Sequence, residues 1–235
     1  MQLSLNYLNE LDELRFCNEL YKLGYWRVIM TINVNRIFLI GYMGSGKTTI
    51  AKVLSRVLGF NFVDMDREIE KAEESSIRTI FIKYGEHEFR NKEAELLDKL
   101  CHITSAADVI TGEINSNTKI LDKESKYERF ADMDNRGVVV SCGGGIILDD
   151  LNRTILKNQC TIFLKGDPKT LFERVNGDTN RPFAFMDVTD EKERFSKFFE
   201  LYKKRKSLYE ETSIHTVNID GKTPEEIASE ILQLV

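Results

Sequence analysis

Residues 36–49 read RIFLIGYMGSGKTT, and this stretch decides the fold. The apolar run at 36–41 predicts a strand, and the apolar spacing from Ile50 to Val57 predicts a helix after it. Between them, residues 41–48 match the phosphate-loop pattern G-x-x-x-x-G-K-[ST]. In such a loop, backbone N–H groups face phosphate oxygens, while Lys47 would reach the β and γ phosphates and Thr48 would ligate Mg²⁺. We therefore expect the loop to bind ATP through Gly44, Ser45, Gly46, Lys47, Thr48 and Thr49.

Composition limits the class of protein. The chain has 235 residues, of which 42% are hydrophobic and 30% charged, enough for one sizeable core but not for two full domains. Its 33 Lys and Arg against 38 Asp and Glu give a net charge of −5, which provides no field to attract nucleic acid or an anionic membrane. The four cysteines form no CxxC pair. We expect a cytoplasmic protein with no zinc site and no membrane span.

Strands and helices alternate beyond the phosphate loop. Apolar runs at 61–65, 137–141, 158–164 and 214–219 predict four further strands, and 67–100 predicts two or three helices. Pro168 and Pro224 stand where helices would begin, because a missing N–H costs nothing there. The alternation predicts an α/β three-layer sandwich of the P-loop NTPase type, with a five-stranded parallel sheet flanked by helices.

We expect one domain over residues 36–235, with two additions. The polar stretch 102–136 is interpreted as an insertion, and residues 1–35 as an extension. The extension is expected to form a short amphipathic helix, or residues 1–29 are not translated if translation begins at Met30 rather than Met1. Both additions join the sheet at the edge opposite its carboxyl ends. We therefore predict that they lie away from the active site, where they could pack on each other, and that they serve stability or association.

Two carboxylates follow the second predicted strand, in the sequence Asp64-Met65-Asp66. Strand alternation points both toward the phosphate loop. Asp64 could bind Mg²⁺ through water, and Asp66 could accept a hydrogen bond from a substrate hydroxyl as base or as positioner. The alternative is that Asp66 only caps the following helix.

Glycines and a polar loop mark the same edge of the sheet. Gly143, Gly144 and Gly145 follow the strand at 137–141, so their backbone can approach a small ligand closely. A flexible turn is the alternative. The polar stretch 176–189 predicts a mobile lid in which Arg181 would close onto the γ phosphate, unless it is an ordinary surface loop.

Helical spacing distinguishes two arginines from the others, most of which we expect to be exposed to solvent. Arg90 falls on the semi-buried stripe of its helix, with Glu93 one turn away to hold it. Arg205 shares a stripe with Tyr202 and Tyr209, unlike its lysine neighbours. Two inward guanidinium groups predict a carboxylate ligand, which a planar fork binds in bidentate fashion.

Taken in order, the segments GYMGSGKT, DMD, FR with Glu93, CGGG, NRP and RKSLY resemble the shikimate kinase family. The resemblance covers residues 36–101 and 137–235. It implies a small phosphate-loop kinase that uses ATP and Mg²⁺ to phosphorylate the 3-hydroxyl of shikimate, on the chorismate route to aromatic amino acids. The insertion, the extension and the lid sequence Arg-Pro-Phe-Ala-Phe depart from the family pattern.

The resemblance also implies roles for individual residues. Three would be catalytic, namely Lys47, Asp66 and Arg181. Shikimate would contact Asp66, Arg90, Gly143, Gly144, Gly145 and Arg205, together with Phe81 and Phe89, whose helical spacing would otherwise indicate core. ATP would also contact Arg174, on the adenine side, and Arg181 and Pro224. The metal site would consist of Thr48 and, through water, Asp64.

Two other functions are compatible with a phosphate loop. A kinase for another polyol acid such as gluconate is disfavoured by the triple glycine and the DMD turn. A nucleotide-binding regulatory module without turnover is disfavoured by the intact Lys47, Thr48, Asp66 and Arg181. We expect shikimate and ATP as partners, no nucleic acid, and a monomer, with any association made through the extension or the insertion.

Overall fold

The computed structural model describes residues 34–101, 137–176 and 188–235. The packing of the extension and the insertion and the placement of Arg181 lie outside the described residues. The division into one domain with two additions and a lid therefore stays a prediction.

Five strands and seven α-helices make up the described part of the chain. The strands are β1 (Arg36–Ile40), β2 (Asn61–Asp64), β3 (Val138–Ser141), β4 (Cys160–Lys165) and β5 (His215–Asn218). The helices are α1 (Lys47–Leu58), α2 (Met65–Ala72), α3 (Ile77–Cys101), α4 (Asp150–Lys157), α5 (Pro168–Val175), α6 (Glu191–Thr212) and α7 (Pro224–Leu232). A 3₁₀ turn, Ile146–Leu148, precedes α4.

The strands form one sheet in the order β2-β3-β1-β4-β5, and all neighbours are parallel. This confirms the predicted five-stranded sheet. β1 lies between β3 and β4, so the loops that follow β1 and β3 leave the same edge side by side. Ligands of open parallel sheets bind at this carboxyl edge, where the strand order reverses.

The core lies on both faces of the sheet. Four successive residues of β1, from Ile37 to Ile40, are fully buried, as in a parallel strand covered on both sides. On α1 the buried residues Ile50, Ala51 and Leu54 recur at helical spacing, and the helix ends at Gly59 with a φ of 66°. None of the described helices is long and apolar enough to cross a membrane.

The first residues of two helices confirm the predicted boundaries. α5 and α7 each begin with a proline, after the N-cap residues Asp167 and Thr223. α3 contains a break at Gly85, whose φ of 83° and ψ of 168° are not helical. The stretch after β2 therefore consists of α2 and the two halves of α3, within the predicted two or three helices.

The DMD turn differs from the prediction. β2 ends at Asp64, not at Met65, and Asp64 is the N-cap of α2, accepting the backbone N–H of Arg67 at 3.3 Å. The strand alternation assumed for the two carboxylates is wrong, because the capping preference of Asp64 ends the strand first. Asp66 is not the cap; it lies in the first turn of α2. Met65 is fully buried.

Candidate active site

The phosphate loop has the strained backbone that its glycines permit. Gly44 and Gly46 have φ of 83° and 79°, in the left-handed region that favours glycine. A Cβ at Gly44 would lie 2.5 Å from the carbonyl oxygen of Leu171, so the loop also packs closely against α5. α1 begins directly after Gly46, which aims its amino terminus at the loop.

Lys47 lies along the phosphate loop. Its Nζ donates to the carbonyl oxygens of Gly41 at 2.8 Å and Tyr42 at 3.2 Å, and to Oγ of Ser45 at 3.4 Å. Ser45 is fully buried, so its side chain supports the loop from behind. The ammonium group of Lys47 is thus held at the place where the motif requires a cation.

Three side-chain oxygens lie close together beside the phosphate loop. Oγ1 of Thr48 donates to Oδ2 of Asp64 at 2.7 Å and lies 3.2 Å from Oγ of Ser141. Hydroxyl and carboxylate oxygens are the hard ligands that Mg²⁺ prefers, with water and phosphate completing the shell. No group of three or more His, Cys, Asp or Glu side chains could hold a metal within residues 34–101, 137–176 and 188–235. The residues present therefore fit a phosphate-bound Mg²⁺ rather than an all-protein metal site.

A cavity of about 250 Å³ opens over the phosphate loop. Eight of the predicted site residues line it: Gly44, Gly46, Lys47, Thr48, Thr49, Asp66, Gly144 and Arg174. Four lining residues were not predicted as site residues: Met43, Ser141, Cys142 and Val175. The parallel register pairs Ser141 with Asp64. In the sequence, the signal that could have identified Ser141 is its position as the last residue of a predicted strand.

Arg174 lies at the rim of this cavity. Its Nη1 donates to the carbonyl oxygen of Gly44 at 3.4 Å. Pro224 is the first residue of α7, which packs against α1. The nearby Asp220 accepts the N–H of Asp167 at 3.0 Å, so the loop before Pro224 joins the carboxyl edge of β4.

Arg90 occupies a semi-buried place on α3, as its spacing predicted. Its guanidinium pairs with Glu86 at 2.9 Å and with Glu93, and 19% of its side chain is exposed. Burial alone would lower the pKa of Arg90, but the two carboxylates raise it. The two carboxylates therefore hold the guanidinium of Arg90 in its charged form and in a fixed place on α3.

Glu93 is fully buried, and its Oε1 has no hydrogen-bond partner among the described residues. Burial raises the pKa of Glu93 to about 7, with Arg90 opposing the shift and Asp66 adding to it. Glu93 and Asp66 both lie against Gly143, so the DMD turn and the Arg90–Glu93 pair meet in one crevice.

The glycine run makes room for charged side chains. A Cβ at Gly143 would lie 2.3 Å from Oε1 of Glu93 and 2.8 Å from Oδ1 of Asp66. At Gly145 a Cβ would lie 2.3 Å from both Nη atoms of Arg90. The prediction had assigned this close approach to a ligand, whereas at two of the three glycines the protein's own charged groups occupy the space.

Phe81 and Phe89 pack against each other and lie beside Arg90, while their contact with shikimate stays a prediction. Their ring centroids are 4.9 Å apart, and Phe89 is buried. The guanidinium carbon of Arg90 lies 5.3 Å from the Phe89 centroid and 6.0 Å from that of Phe81. The pair thus belongs to the core and also forms the wall beside Arg90.

Arg205 turns inward from its charged run. Lys203 and Lys204 are exposed, whereas Arg205 is half-buried and its Nε is buried. Its guanidinium carbon lies 5.9 Å from the ring centroid of Tyr42, in the phosphate loop. Lys206 is also half-buried, but its ammonium group lies 3.7 Å from Glu210.

Cys142 lies at the centre of these groups. It is buried, and burial raises the pKa of its thiol well above the usual value, with Lys47 opposing and Cys101, Glu93 and Asp66 adding smaller effects. A scarce and inaccessible thiolate is a poor nucleophile, which favours the interpretation of Cys142 as a packing residue over one as a reactive thiol.

Comparison with known proteins gives one consistent family. A family model described as shikimate kinase matches residues 43–119 and 117–235. A shikimate kinase from Persephonella marina is 34% identical over 85% of this chain and 98% of its own length. A bifunctional shikimate kinase/3-dehydroquinate synthase from Thermotoga maritima is 40% identical over 75% of this chain, which spans only 28% of that protein.

Solved structures agree with the family model. A shikimate kinase from Acinetobacter baumannii, in complex with shikimate, has a TM-score of 0.66 at 28% identity and covers 86% of this chain and 93% of its own. The Aquifex aeolicus shikimate kinase has a TM-score of 0.58 at 29% identity, covering 85% and 94%. With this fold, this crevice and these relatives, the chain belongs to the shikimate kinase family.

Proposed function

We propose that the crevice performs the reaction of its family, transferring the γ phosphoryl group of ATP to the 3-hydroxyl of shikimate. One observation supports this most strongly: Asp66 lines the same cavity as Lys47 and Thr48 and also lies against Gly143, beside the Arg90–Glu93 pair. A phosphate donor site and an acid site therefore share one carboxylate.

The carboxylate of shikimate is assigned to Arg90 and Arg205. Both guanidinium groups are partly buried and face the glycine run or the phosphate loop. A planar fork binds a carboxylate through two parallel hydrogen bonds, and partial burial strengthens the interaction. Phe81 and Phe89 would limit the acid on one side, and Gly144 would allow its close approach.

Asp66 is assigned to the acceptor hydroxyl. Its carboxylate would accept the hydroxyl hydrogen bond and direct an oxygen lone pair toward the γ phosphorus. The same geometry serves a base and a positioner, because phosphoryl transfer depends mainly on alignment. Asp66 is half-buried and lies with Glu93 against Gly143, so its carboxylate belongs to the crevice.

The phosphates are assigned to the backbone of Gly44, Ser45 and Gly46 and to Lys47, Thr48 and Thr49. Arg174 would contact the adenine side, and Pro224 would close that side of the nucleotide site. Thr48, with Asp64 through water, would hold Mg²⁺, which when bound would neutralise charge on the β and γ phosphates. Arg181 would add positive charge from the lid, and this assignment rests on the sequence alone.

The same proposal gives expectations for cellular location, binding partners and association. We expect a cytoplasmic monomer that binds shikimate and ATP and neither nucleic acid nor membrane. The extension at 1–35 and the insertion at 102–136 are the proposed surfaces for any association. Both join the sheet away from the carboxyl edge: the insertion follows Cys101 and precedes Val138, the first residue of β3.

A coupled assay of ADP release tests the proposal. The purified chain with Mg²⁺ and ATP is given shikimate, gluconate or no acceptor. ADP release that depends on shikimate and is lost in Lys47→Ala is the expected result. Faster release with gluconate would favour a polyol-acid kinase of another kind. ATP binding without release under any condition would favour a non-catalytic nucleotide-binding module.

A further inference from the structure

Tyr209 is a buried polar residue that the assignments above leave without a role. It lies one turn after Arg205 on α6 and is fully buried. Its ring stacks on Phe163 of β4, with centroids 5.1 Å apart and an interplanar angle of 11°. The ring is therefore fixed by the core, so the hydroxyl at its tip has a defined position.

That hydroxyl reaches the glycine run. The Tyr209 O–H donates to the carbonyl oxygen of Gly144. Gly144 lines the cavity, and a Cβ built on it would lie 3.7 Å from the carbonyl oxygen of Gly41 and 3.9 Å from N of Met43. Tyr209 therefore holds the backbone segment that lies directly beside the phosphate loop.

Arg205 lies one turn before Tyr209 on the same stripe of α6, so the two side chains are neighbours. Burial raises the pKa of Tyr209 well above its usual value, while the positive charge of Arg205 acts in the opposite direction. A neutral phenol can donate one hydrogen bond and accept another. Gly144 takes the donated bond, which holds the stripe of α6 that carries Arg205 against the glycine run.

Among the described residues, the side chain of Arg205 has few fixed contacts of its own. Its Nε is buried and has no partner within the described ranges, and its guanidinium lies over the Tyr42 ring. A long side chain without fixed contacts loses rotamer entropy on binding a ligand, and a hydrogen bond that orients it beforehand reduces that loss.

We propose that Tyr209 is a positioning residue for acid binding: its hydroxyl anchors α6, one turn after Arg205, to the carbonyl of Gly144 and so fixes the carboxylate-binding fork relative to the glycine run. This inference rests on the proposed phosphorylation of shikimate. Tyr209 touches neither substrate in this account and acts only through Arg205 and Gly144.

The test compares two tyrosines of α6 that each lose one buried hydroxyl. Tyr209→Phe removes the bond to the carbonyl oxygen of Gly144, whereas Tyr202→Phe removes a bond to the carbonyl oxygen of Gly166 at 3.2 Å. We expect Tyr209→Phe to raise the KM for shikimate by about tenfold, with kcat and the KM for ATP changed by less than about twofold. Tyr202→Phe should leave the KM for shikimate unchanged at a similar loss of thermal stability.

A double-mutant cycle separates positioning from general loosening. If Tyr209 acts through Arg205, Tyr209→Phe should have little further effect on shikimate affinity once Arg205→Lys is present. Equal fold-changes in both backgrounds, or equal KM values for Tyr209→Phe and Tyr202→Phe, would overturn the inference. Absence of shikimate-dependent ADP release in the unmutated chain would instead refute the proposed function.

A second measurement applies even if Tyr209→Phe does not fold. Replacement of Tyr209 by 3-fluorotyrosine keeps the hydroxyl and supplies a ¹⁹F signal. Saturating shikimate should shift this signal, because Arg205 changes its contacts when it binds the carboxylate. An unchanged ¹⁹F signal at saturation would also overturn the inference.

Discussion

The guanidinium of Arg90 fills the space that a side chain at Gly145 would occupy, with both Nη atoms 2.3 Å from an ideal Cβ there. The backbone of Gly145 has a φ of −105°, which any residue adopts, so the glycine is required by packing rather than by conformation. Gly145→Ala should therefore displace Arg90 and raise the KM for shikimate by about tenfold or more, while the KM for ATP changes little. Steady-state kinetics with each substrate varied measures both.

Gly144 offers the matched comparison within the same run. A Cβ there would meet its nearest neighbour at 3.7 Å, an ordinary contact. Gly144→Ala should consequently leave the guanidinium of Arg90 in place and affect only the approach of the acid, so it should raise the KM for shikimate less than Gly145→Ala, which affects both. The reverse order would contradict the assignment of Arg90 to the carboxylate.

Arg205→Lys tests the second fork. A lysine keeps the positive charge but presents a single point donor, so it cannot hold both oxygens of a carboxylate. We expect the KM for shikimate to rise by about tenfold with kcat within about twofold of the original. Lys204→Ala, in the exposed part of the same run, is the control and should leave both constants unchanged. A loss of kcat at constant KM in Arg205→Lys would argue against a role in binding the acid.

Thr48 tests the proposed metal site. Thr48→Val keeps the shape of the side chain but loses the oxygen that lies 2.7 Å from Asp64. We expect kcat to fall by about a hundredfold or more and the Mg²⁺ concentration for half-maximal activity to rise. Thr48→Ser retains the oxygen and should remain close to the original in a Mg²⁺ titration of activity. Similar losses in both variants would show that the hydroxyl is not the important group.

The buried carboxyl of Glu93 predicts a pH dependence of stability. Its pKa in the folded chain is raised from 4.5 to about 7, so between these values the folded state keeps a proton that the unfolded state has lost. The free energy of unfolding should therefore fall as pH rises through this window, by at most about 1.4 kcal/mol per pH unit. Below the window and above it, Glu93 contributes no slope.

Glu93→Gln isolates this effect, because glutamine does not titrate. Urea unfolding of both proteins at about pH 5 and about pH 7.5 should show the unmutated chain losing stability relative to Glu93→Gln as pH rises. A constant difference at the two pH values would mean that Glu93 has an ordinary pKa in the folded chain.

Local patterns predicted most of the fold. The strand, loop and helix around Lys47 follow from glycine placement and apolar spacing within residues 36–57, and the structure has all three. The inward faces of Arg90 and Arg205 also follow from helical periodicity, because a helix fixes which side chains share a stripe. These features depend on neighbours in sequence.

Contacts between distant segments could not be predicted in the same way. Ser141 joins Thr48 and Asp64 only because β3 pairs with β2 in a particular register. The occupants of the space at Gly143 and Gly145 come from α2 and α3, which the spacing of the glycine run does not reveal. At Asp64 the prediction from local sequence was wrong. Strand and capping preferences compete at this residue, and the structure has it as the N-cap of α2.

NMR of the product tests the central claim most directly. The purified chain is incubated with ATP, Mg²⁺ and shikimate, and the mixture is followed by ³¹P and proton spectra. We predict one new phosphomonoester whose phosphorus couples to the ring proton at carbon 3, formed in step with ADP and absent with Lys47→Ala. A phosphate on another hydroxyl, or ADP formed without any phosphorylated acid, would contradict a crevice in which Asp66 presents that hydroxyl to the phosphate loop.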